Sequence, residues 1–91
     1  MFFVYVLLSK KDKSFYVGKT DDIVRRMKEH KQGKVKSTKH RRPFIILFYE
    51  GYFLKKIVSK RERFLKSSDG RKDIRKRFDS FEEVLEESIE I

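Results

Sequence analysis

The 91-residue chain contains no cysteine, no tryptophan, one proline and four glycines. The absence of cysteine excludes a disulfide framework, a thiolate metal site and a cysteine nucleophile. No apolar run reaches the roughly 20 residues that a membrane-spanning helix needs. The apolar run at 1–8 lacks the basic flank and the cleavage site of a signal peptide. We therefore expect a cytoplasmic protein without membrane association.

Carboxylates are scarce over most of the chain. Residues 1–78 carry all 24 lysines and arginines but only eight acidic residues, for a net charge of +16. Residues 79–91 carry six acidic residues and no lysine or arginine, for a net charge of −6. A body this basic is typical of proteins that bind polyanions, above all nucleic acid.

The order of apolar patterns predicts an α+β fold. Runs rich in Phe, Val and Tyr at 2–8 and 14–18 flank a polar stretch and predict a β-hairpin. Helical spacing predicts a first helix at 22–31, which Asp22 can cap, and a third strand is predicted at 44–49. A second helix is predicted to end near residues 67–70, where Gly70 can take the left-handed conformation that terminates helices, and a short basic helix follows. The basic connection between the first helix and the third strand shows no periodicity and is predicted to be the least structured segment.

Five side chains could together hydrolyse a phosphodiester. Arg26 and His30 lie four residues apart, so they share one face of the first helix, and Tyr5 and Tyr16 lie on the two hairpin strands. Glu62 lies among basic residues in the second helix. Phosphodiester hydrolysis needs a positioned and deprotonated water, a cation for the developing charge and usually a metal held by a few oxygens. Each residue alone also has a structural explanation, as a strand aromatic, a helix-end cation or a surface ion pair.

At these residues the chain resembles the GIY-YIG nuclease superfamily, in particular its small single-domain bacterial members. Residues 3–5 are Phe-Val-Tyr, residues 16–18 are Tyr-Val-Gly, and the Arg, His and Glu of the pattern follow in order. The resemblance covers residues 2–78 and implies a three-stranded antiparallel sheet flanked by helices. Two departures exist: the first Gly of the family pattern is Phe3, and the family's later Asn has no match, although Ser67 or Ser68 stands in its region.

The resemblance implies a role for each of the five side chains. Tyr5 would be the general base or water-positioning phenol, Tyr16 its partner at the phosphate, and Arg26 the group that stabilises transition-state charge. His30 would assist proton transfer or hold the phosphate, and Glu62 would be the single protein ligand of a divalent metal, Mg²⁺ in preference to Mn²⁺. Because a free tyrosine has a pKa near 10, nearby cations and the metal would have to favour its phenolate.

These observations predict a metal-dependent DNA endonuclease or nickase that is selective for structure more than for sequence. The alternatives are a non-catalytic nucleic-acid-binding module that retains the fold and, with less support, a peripheral membrane protein or a protein that binds another anionic partner. Phosphate contacts are expected from a set of basic residues in the hairpin, the first helix and the loop after it: Lys19, Arg25, Lys34, Lys36, Lys39, Arg41 and Arg42.

The acidic segment 79–91 is expected to form an amphipathic C-terminal helix that packs on the nuclease-like domain of residues 1–78. Ser80 to Glu83 has the spacing of a capping box. An apolar stripe follows helical spacing and consists of Phe81, Val84, Leu85 and Ile89. Two alternatives are a frayed tail and a helix that docks onto another protein.

Overall fold

The computed structural model describes residues 1–78, 84–86 and 89–91. Its sheet consists of β1 (Phe2–Ser9), β2 (Phe15–Thr20) and β3 (Phe44–Tyr52), all antiparallel, in the order β2-β1-β3. Its helices are α1 (Ile23–Lys31), α2 (Lys55–Lys66) and α3 (Ser68–Lys76), with a short 3-10 helix at Lys39–Arg41. None of the helices in this described part is long and apolar enough to cross a membrane. The predicted α+β fold with a three-stranded antiparallel sheet is confirmed.

β1 is buried on both faces because its side chains alternate between two apolar layers. Val4 and Val6 pack in the layer formed with α2 and α3. Tyr5 and Leu7 pack in the opposite layer, with α1 and Phe44. Tyr5 therefore enters the α1 side of the sheet as part of the core.

Side-chain caps begin α1 and α3, and α2 ends at Lys66 near the predicted position, but the role predicted for Gly70 is wrong. Asp22 accepts a hydrogen bond from the Arg25 N–H at 3.0 Å and caps α1 as expected. Gly70 does not end α2 and lies buried inside α3, where Ser67 caps the new helix by accepting from the Gly70 N–H at 3.1 Å. A Cβ at Gly70 would lie 2.0 Å from the Phe64 carbonyl oxygen. The glycine is thus required by close approach of α2 and α3, and Ser67, near the family's missing Asn, is used as a cap.

The basic loop between α1 and β3 is more ordered than its sequence suggests. Val35 and Thr38 are buried. The Arg42 guanidinium donates to the carbonyl oxygens of Lys31 and Lys39, each at 3.0 Å. These hydrogen bonds fold the loop back onto the end of α1, a long-range arrangement that local periodicity does not encode.

The predicted acidic helix at 79–91 lies largely outside the described residues. Residues 84–86 are helical. At the end of the chain, the Ile89 C=O and the Ile91 N–H hydrogen-bond to the β3 backbone at 3.1 and 2.9 Å. The Ile89 side chain is 71% exposed, whereas Ile91 packs on the α1-side layer. The expected packing of Ile89 through an apolar helix stripe is therefore wrong, because the chain is extended there.

Gly70→Ala should destabilise the protein even though alanine is the better helix former. In an open helix this change is favourable by about 1 kcal/mol, but here the methyl group would collide with the α2 backbone. We expect a net decrease of about 1–3 kcal/mol in unfolding free energy, as for other overpacked sites, measured by urea denaturation. Lys72→Ala, at an exposed position of the same helix, is the control and should change little. A gain in stability on Gly70→Ala would contradict the packing argument.

Candidate active site

Four of the five candidate side chains meet on the α1 side of the sheet. The rings of Tyr5, Tyr16 and His30 lie with their centroids between 5.3 and 6.2 Å apart. Arg26, one turn before His30, directs its Nε towards the Tyr5 hydroxyl at 3.4 Å. Two strands and one helix thus place two phenols, an imidazole and a guanidinium in one cluster, which we call the tyrosine cluster.

A chain of buried hydrogen bonds runs through the tyrosine cluster. The Tyr5 hydroxyl lies 2.7 Å from His30 Nε2, and His30 Nδ1 lies 2.8 Å from Thr38 Oγ1. Tyr5, His30 and Thr38 are all 0% exposed. Because a buried hydroxyl needs an acceptor, we assign the Tyr5 O–H as donor to Nε2 and the Nδ1–H as donor to Thr38. Thr38 then donates to the Val35 carbonyl at 3.4 Å.

Burial keeps both partners of the central hydrogen bond neutral. Burial raises the pKa of Tyr5 to about 12, although the hydrogen bond from Arg26 opposes the shift. Burial, followed by the positive charge of Arg26, lowers the pKa of His30 to about 4. Arg26 thus favours the Tyr5 phenolate as expected, but in the free protein burial outweighs it. The neutral His30 ring accepts the hydrogen bond of the Tyr5 phenol.

Only part of the tyrosine cluster reaches the surface. The Arg26 side chain is 31% exposed and pairs with Glu29 at 3.3 Å, and Tyr16 is half-buried. Tyr5 and His30 lie behind them. Sequence reasoning missed Glu29, although its position three residues after Arg26 is the spacing of a helical ion pair.

Gly18 makes room for the Tyr5 phenol. It lies directly opposite Tyr5 in the antiparallel pair. A Cβ at Gly18 would lie 2.4 Å from the Tyr5 hydroxyl oxygen and 3.0 Å from the Tyr16 ring. The glycine of the Tyr-Val-Gly triplet is thus required because two aromatic side chains cross it closely.

Glu62 is not part of the tyrosine cluster. It lies on α2, on the opposite face of the sheet, with its side chain 15% exposed and paired to Lys19 at 3.6 Å and Lys66 at 3.5 Å. Lys19 follows Gly18 in the edge strand β2. The Glu62 group and the tyrosine cluster therefore approach the same edge strand from opposite faces.

Glu62 is the one carboxylate of the predicted site residues that could act as a metal ligand. Among the described residues, no three His, Asp or Glu side chains come together as a preformed cage. Glu62 offers one hard carboxylate held in place by two ammonium groups. Mg²⁺ is commonly held by one or two carboxylates with water and phosphate oxygens as its other ligands. A single carboxylate therefore needs water and substrate oxygens to complete the coordination of such an ion.

The basic residues predicted to contact phosphate divide into two groups. Arg41 and Arg42 hold the fold: Arg41 donates to the Phe15 carbonyl at 3.1 Å and pairs with Asp12 at 3.3 Å, and Arg42 folds the loop onto α1. Apart from Arg41, the members of the set are exposed, including Arg42 in spite of its hydrogen bonds; the others are Lys19, Arg25, Lys34, Lys36 and Lys39.

Comparison with known proteins agrees with this geometry. Residues 1–78 match the family described as GIY-YIG catalytic domain. The chain belongs to the GIY-YIG family. It is similar to UPF0213 protein YazA of Bacillus subtilis (strain 168), with 40% identity over 65 residues, 70% of this chain and 65% of that protein. No solved structure matches the chain.

Thr38→Val should disturb His30 without touching the surface of the site. Valine keeps the volume but leaves the buried Nδ1–H without an acceptor, which costs about 1–3 kcal/mol. We expect the His30 ring to lose its fixed tautomer, measured by nitrogen NMR of the imidazole, together with stability. Thr38→Ser retains the hydroxyl and is the control. An unchanged His30 spectrum in the valine variant would contradict the assigned hydrogen bond.

The lowered pKa of His30 predicts how stability depends on pH. Between the unfolded value of 6.5 and the folded value of about 4, the unfolded chain binds more protons. Unfolding free energy should therefore be highest above pH 6.5 and fall by roughly 1–3 kcal/mol as the pH drops towards 4. His40→Gln, at the exposed second histidine, should keep this fall, and His30→Gln should reduce it, as measured by urea denaturation at pH 4.5 and 7.5. Equal falls in both variants would exclude His30 as the cause.

Proposed function

We propose that this protein is a metal-dependent DNA endonuclease or nickase in which Tyr16 and Arg26 face the scissile phosphate. Tyr5 and His30 lie behind them and fix the position of the cluster. The observation that carries the proposal is the buried 2.7 Å hydrogen bond between the Tyr5 hydroxyl and His30 Nε2, because it holds the Tyr5 phenol against Arg26 and beside Tyr16. The family membership supplies the reaction class.

In the proposed reaction a water oxygen bonds to phosphorus and the bond from phosphorus to the leaving oxygen breaks. The water must lose a proton during attack. Tyr16, at the surface, positions the water, whose proton passes to solvent, while Tyr5 and His30 stay neutral behind it. This route avoids both a Tyr5 phenolate, which the raised pKa of Tyr5 disfavours, and a His30 imidazolium, which the lowered pKa of His30 disfavours. Arg26 stabilises the negative charge that develops on the phosphoryl oxygens.

Glu62 is the proposed protein ligand of the metal. A bound Mg²⁺ or Mn²⁺ would neutralise charge on the phosphate and its leaving oxygen. Lys19 and Lys66 compensate the Glu62 carboxylate in the free protein, and both lysines can turn to phosphate oxygens when a cation takes their place. The negative charge of Glu62 would thus be balanced both in the free protein and when a cation is bound.

Selectivity for DNA structure more than for sequence follows from the kind of contacts available. The exposed cations of the set predicted to contact phosphate are four lysines on the loop and on β2, Arg25 on α1 and Arg42 at the end of the loop. Such side chains contact phosphates, which position a protein on the nucleic acid but carry no base information directly.

A non-catalytic binding module is the second candidate, and the burial of Tyr5 and His30 favours it. Both side chains are 0% exposed, so neither touches a substrate directly in this conformation. The family's later Asn also has no counterpart, since Ser67 is used as a helix cap. Cleavage separates the two candidates, because both bind nucleic acid with the same dependence on salt.

The purified protein should nick supercoiled DNA when Mg²⁺ or Mn²⁺ is added. Glu62→Gln and Arg26→Ala should lower the single-turnover cleavage rate at saturating protein by at least about 10²-fold, because each removes a stabiliser of transition-state charge. Gel electrophoresis of nicked circles gives the rate, and fluorescence anisotropy in EDTA gives the affinity, which should change little.

Asp69→Asn, an exposed charge change on α3, is the control and should cleave at the parental rate. Cleavage in EDTA, or full activity of Glu62→Gln, would refute the metal assignment. Binding without any cleavage under all metal conditions would favour the binding module.

A further inference from the structure

A pocket of about 550 Å³ lies where the end of α1, the 3-10 helix and the β1–β2 turn meet. Pro43, Glu90 and Ile91 form part of its wall. Its other lining side chains are all basic or imidazole: Lys11, Lys31, Lys39, His40 and Arg42. We call it the basic pocket.

The positive charge of the basic pocket is poorly compensated. Elsewhere, Arg25, Arg26 and Arg61 each pair with a carboxylate. Within the described residues, by contrast, none of the four lysines and arginines of the pocket has a carboxylate within 4.0 Å. Like charges gathered around one concavity repel each other and concentrate anions there.

Two of these cations are held in place by the backbone. The Lys11 ammonium donates to the His40 carbonyl at 3.1 Å, and the Arg42 guanidinium donates to the Lys31 and Lys39 carbonyls. Hydrogen bonds to carbonyl oxygens fix a cation without neutralising it. The charge is therefore positioned before a ligand arrives, which lowers the ordering cost of binding.

One anionic side chain already lies at the basic pocket. The Glu90 carboxylate is 2.7 Å from the Lys10 ammonium and forms part of the pocket wall. The backbone of Glu90 is held by its bridge to Ile45 of β3. The chain thus delivers a carboxylate to the pocket from its acidic segment.

We propose that the basic pocket binds a backbone phosphate of the nucleic acid, and that the Glu90 carboxylate competes with that phosphate. The nucleic-acid partner rests on the proposed function. The bound phosphate would differ from the one that is cleaved, because Tyr16 and Arg26 belong to the tyrosine cluster and do not line the pocket. The two sites adjoin through the chain: Lys31 follows His30, and Lys39 follows Thr38.

Competition by Glu90 would weaken binding of ligands that fill the pocket poorly. A tethered carboxylate competes at a high effective concentration, so a single weak anion displaces it with difficulty. A nucleic acid that also binds Arg26 and the loop lysines is already attached to the protein. Its phosphate then reaches the pocket at a high effective concentration, as the Glu90 carboxylate does. The pocket would therefore favour a strand that lies along both sites.

The first test compares the salt dependence of binding to a short duplex DNA in EDTA, where no metal-dependent cleavage occurs. Lys31→Ala/Lys39→Ala should flatten the slope of log affinity against log salt by about 0.9 for each phosphate that the variant no longer neutralises. Lys72→Ala/Lys76→Ala removes the same charge from exposed positions on α3 and is the control. Equal slopes for the two double variants would overturn the proposal.

The second test separates competition from a general charge effect. Glu90→Gln should tighten binding of the same duplex severalfold at low salt, whereas Glu86→Gln, at an exposed residue outside the pocket lining, should change it less. Equal gains would show a general field effect and overturn the competition by Glu90.

Titration with inorganic phosphate alone, followed by NMR shifts of the pocket residues, distinguishes a free anion as the ligand. Saturation by phosphate at concentrations that leave duplex binding unaffected would overturn the nucleic-acid assignment. Absence of cleavage with Mg²⁺ would refute the proposed nuclease but leave the slope difference intact, so the two failures are distinguishable.

Discussion

The buried hydrogen bond between Tyr5 and His30 is the constraint on which the arrangement of the active site depends. Both side chains have no exposure to water, so either one left without its partner costs about 1–3 kcal/mol. The bond joins the central strand to α1. Through His30 Nδ1 and Thr38 it also joins α1 to the following loop. A basic loop with little apolar content is thereby ordered by a polar interaction.

The small number of acidic residues decides which cations remain available for a polyanion. Glu50 accepts from both Arg61 Nε and its terminal nitrogen at 2.8 and 3.0 Å and lies 3.8 Å from Arg77. Burial opposes ionisation of Glu50, but the hydrogen bonds from Arg61 and Tyr52 hold its pKa below the ordinary value. One carboxylate thus ties β3 to α2 and the end of α3. With eight acids for 24 bases in residues 1–78, such pairs leave most lysines uncompensated.

What could be predicted from the sequence depended on short-range geometry. The alternation along β1, the Asp22 cap and the placement of Arg26 and His30 on one helix face all follow from spacings of two to four residues. The approach of Tyr5 and Tyr16 follows from the hairpin that joins them. These spacings predicted the strands, the first helix and the common helix face of Arg26 and His30.

The features that could not be predicted arise from interactions between distant elements. A glycine in the sequence is compatible with a helix end and also with a close contact between two helices. Only the position of α2 shows that Gly70 has the second role. Thr38 lies in a polar loop, where nothing in the spacing pairs it with His30. The raised pKa of Tyr5 could not be predicted for a related reason, since a sequence shows the neighbouring cations but not the depth of burial that outweighs them.

The departure of Phe3 from the family pattern is accommodated on the neighbouring strand. Phe3 faces Gly51 directly across the β1–β3 pair, and a Cβ at Gly51 would lie 3.1 Å from the Phe3 ring. The ring instead packs edge-on against Tyr49, with centroids 5.9 Å apart. The large side chain of Phe3 on β1 is therefore accommodated because Gly51 on β3 has no side chain. Phe3 and Gly51 face each other on the β3 side of β1, away from β2 and Gly18. The Tyr5 phenol can therefore still cross β2 at Gly18 and hydrogen-bond to His30.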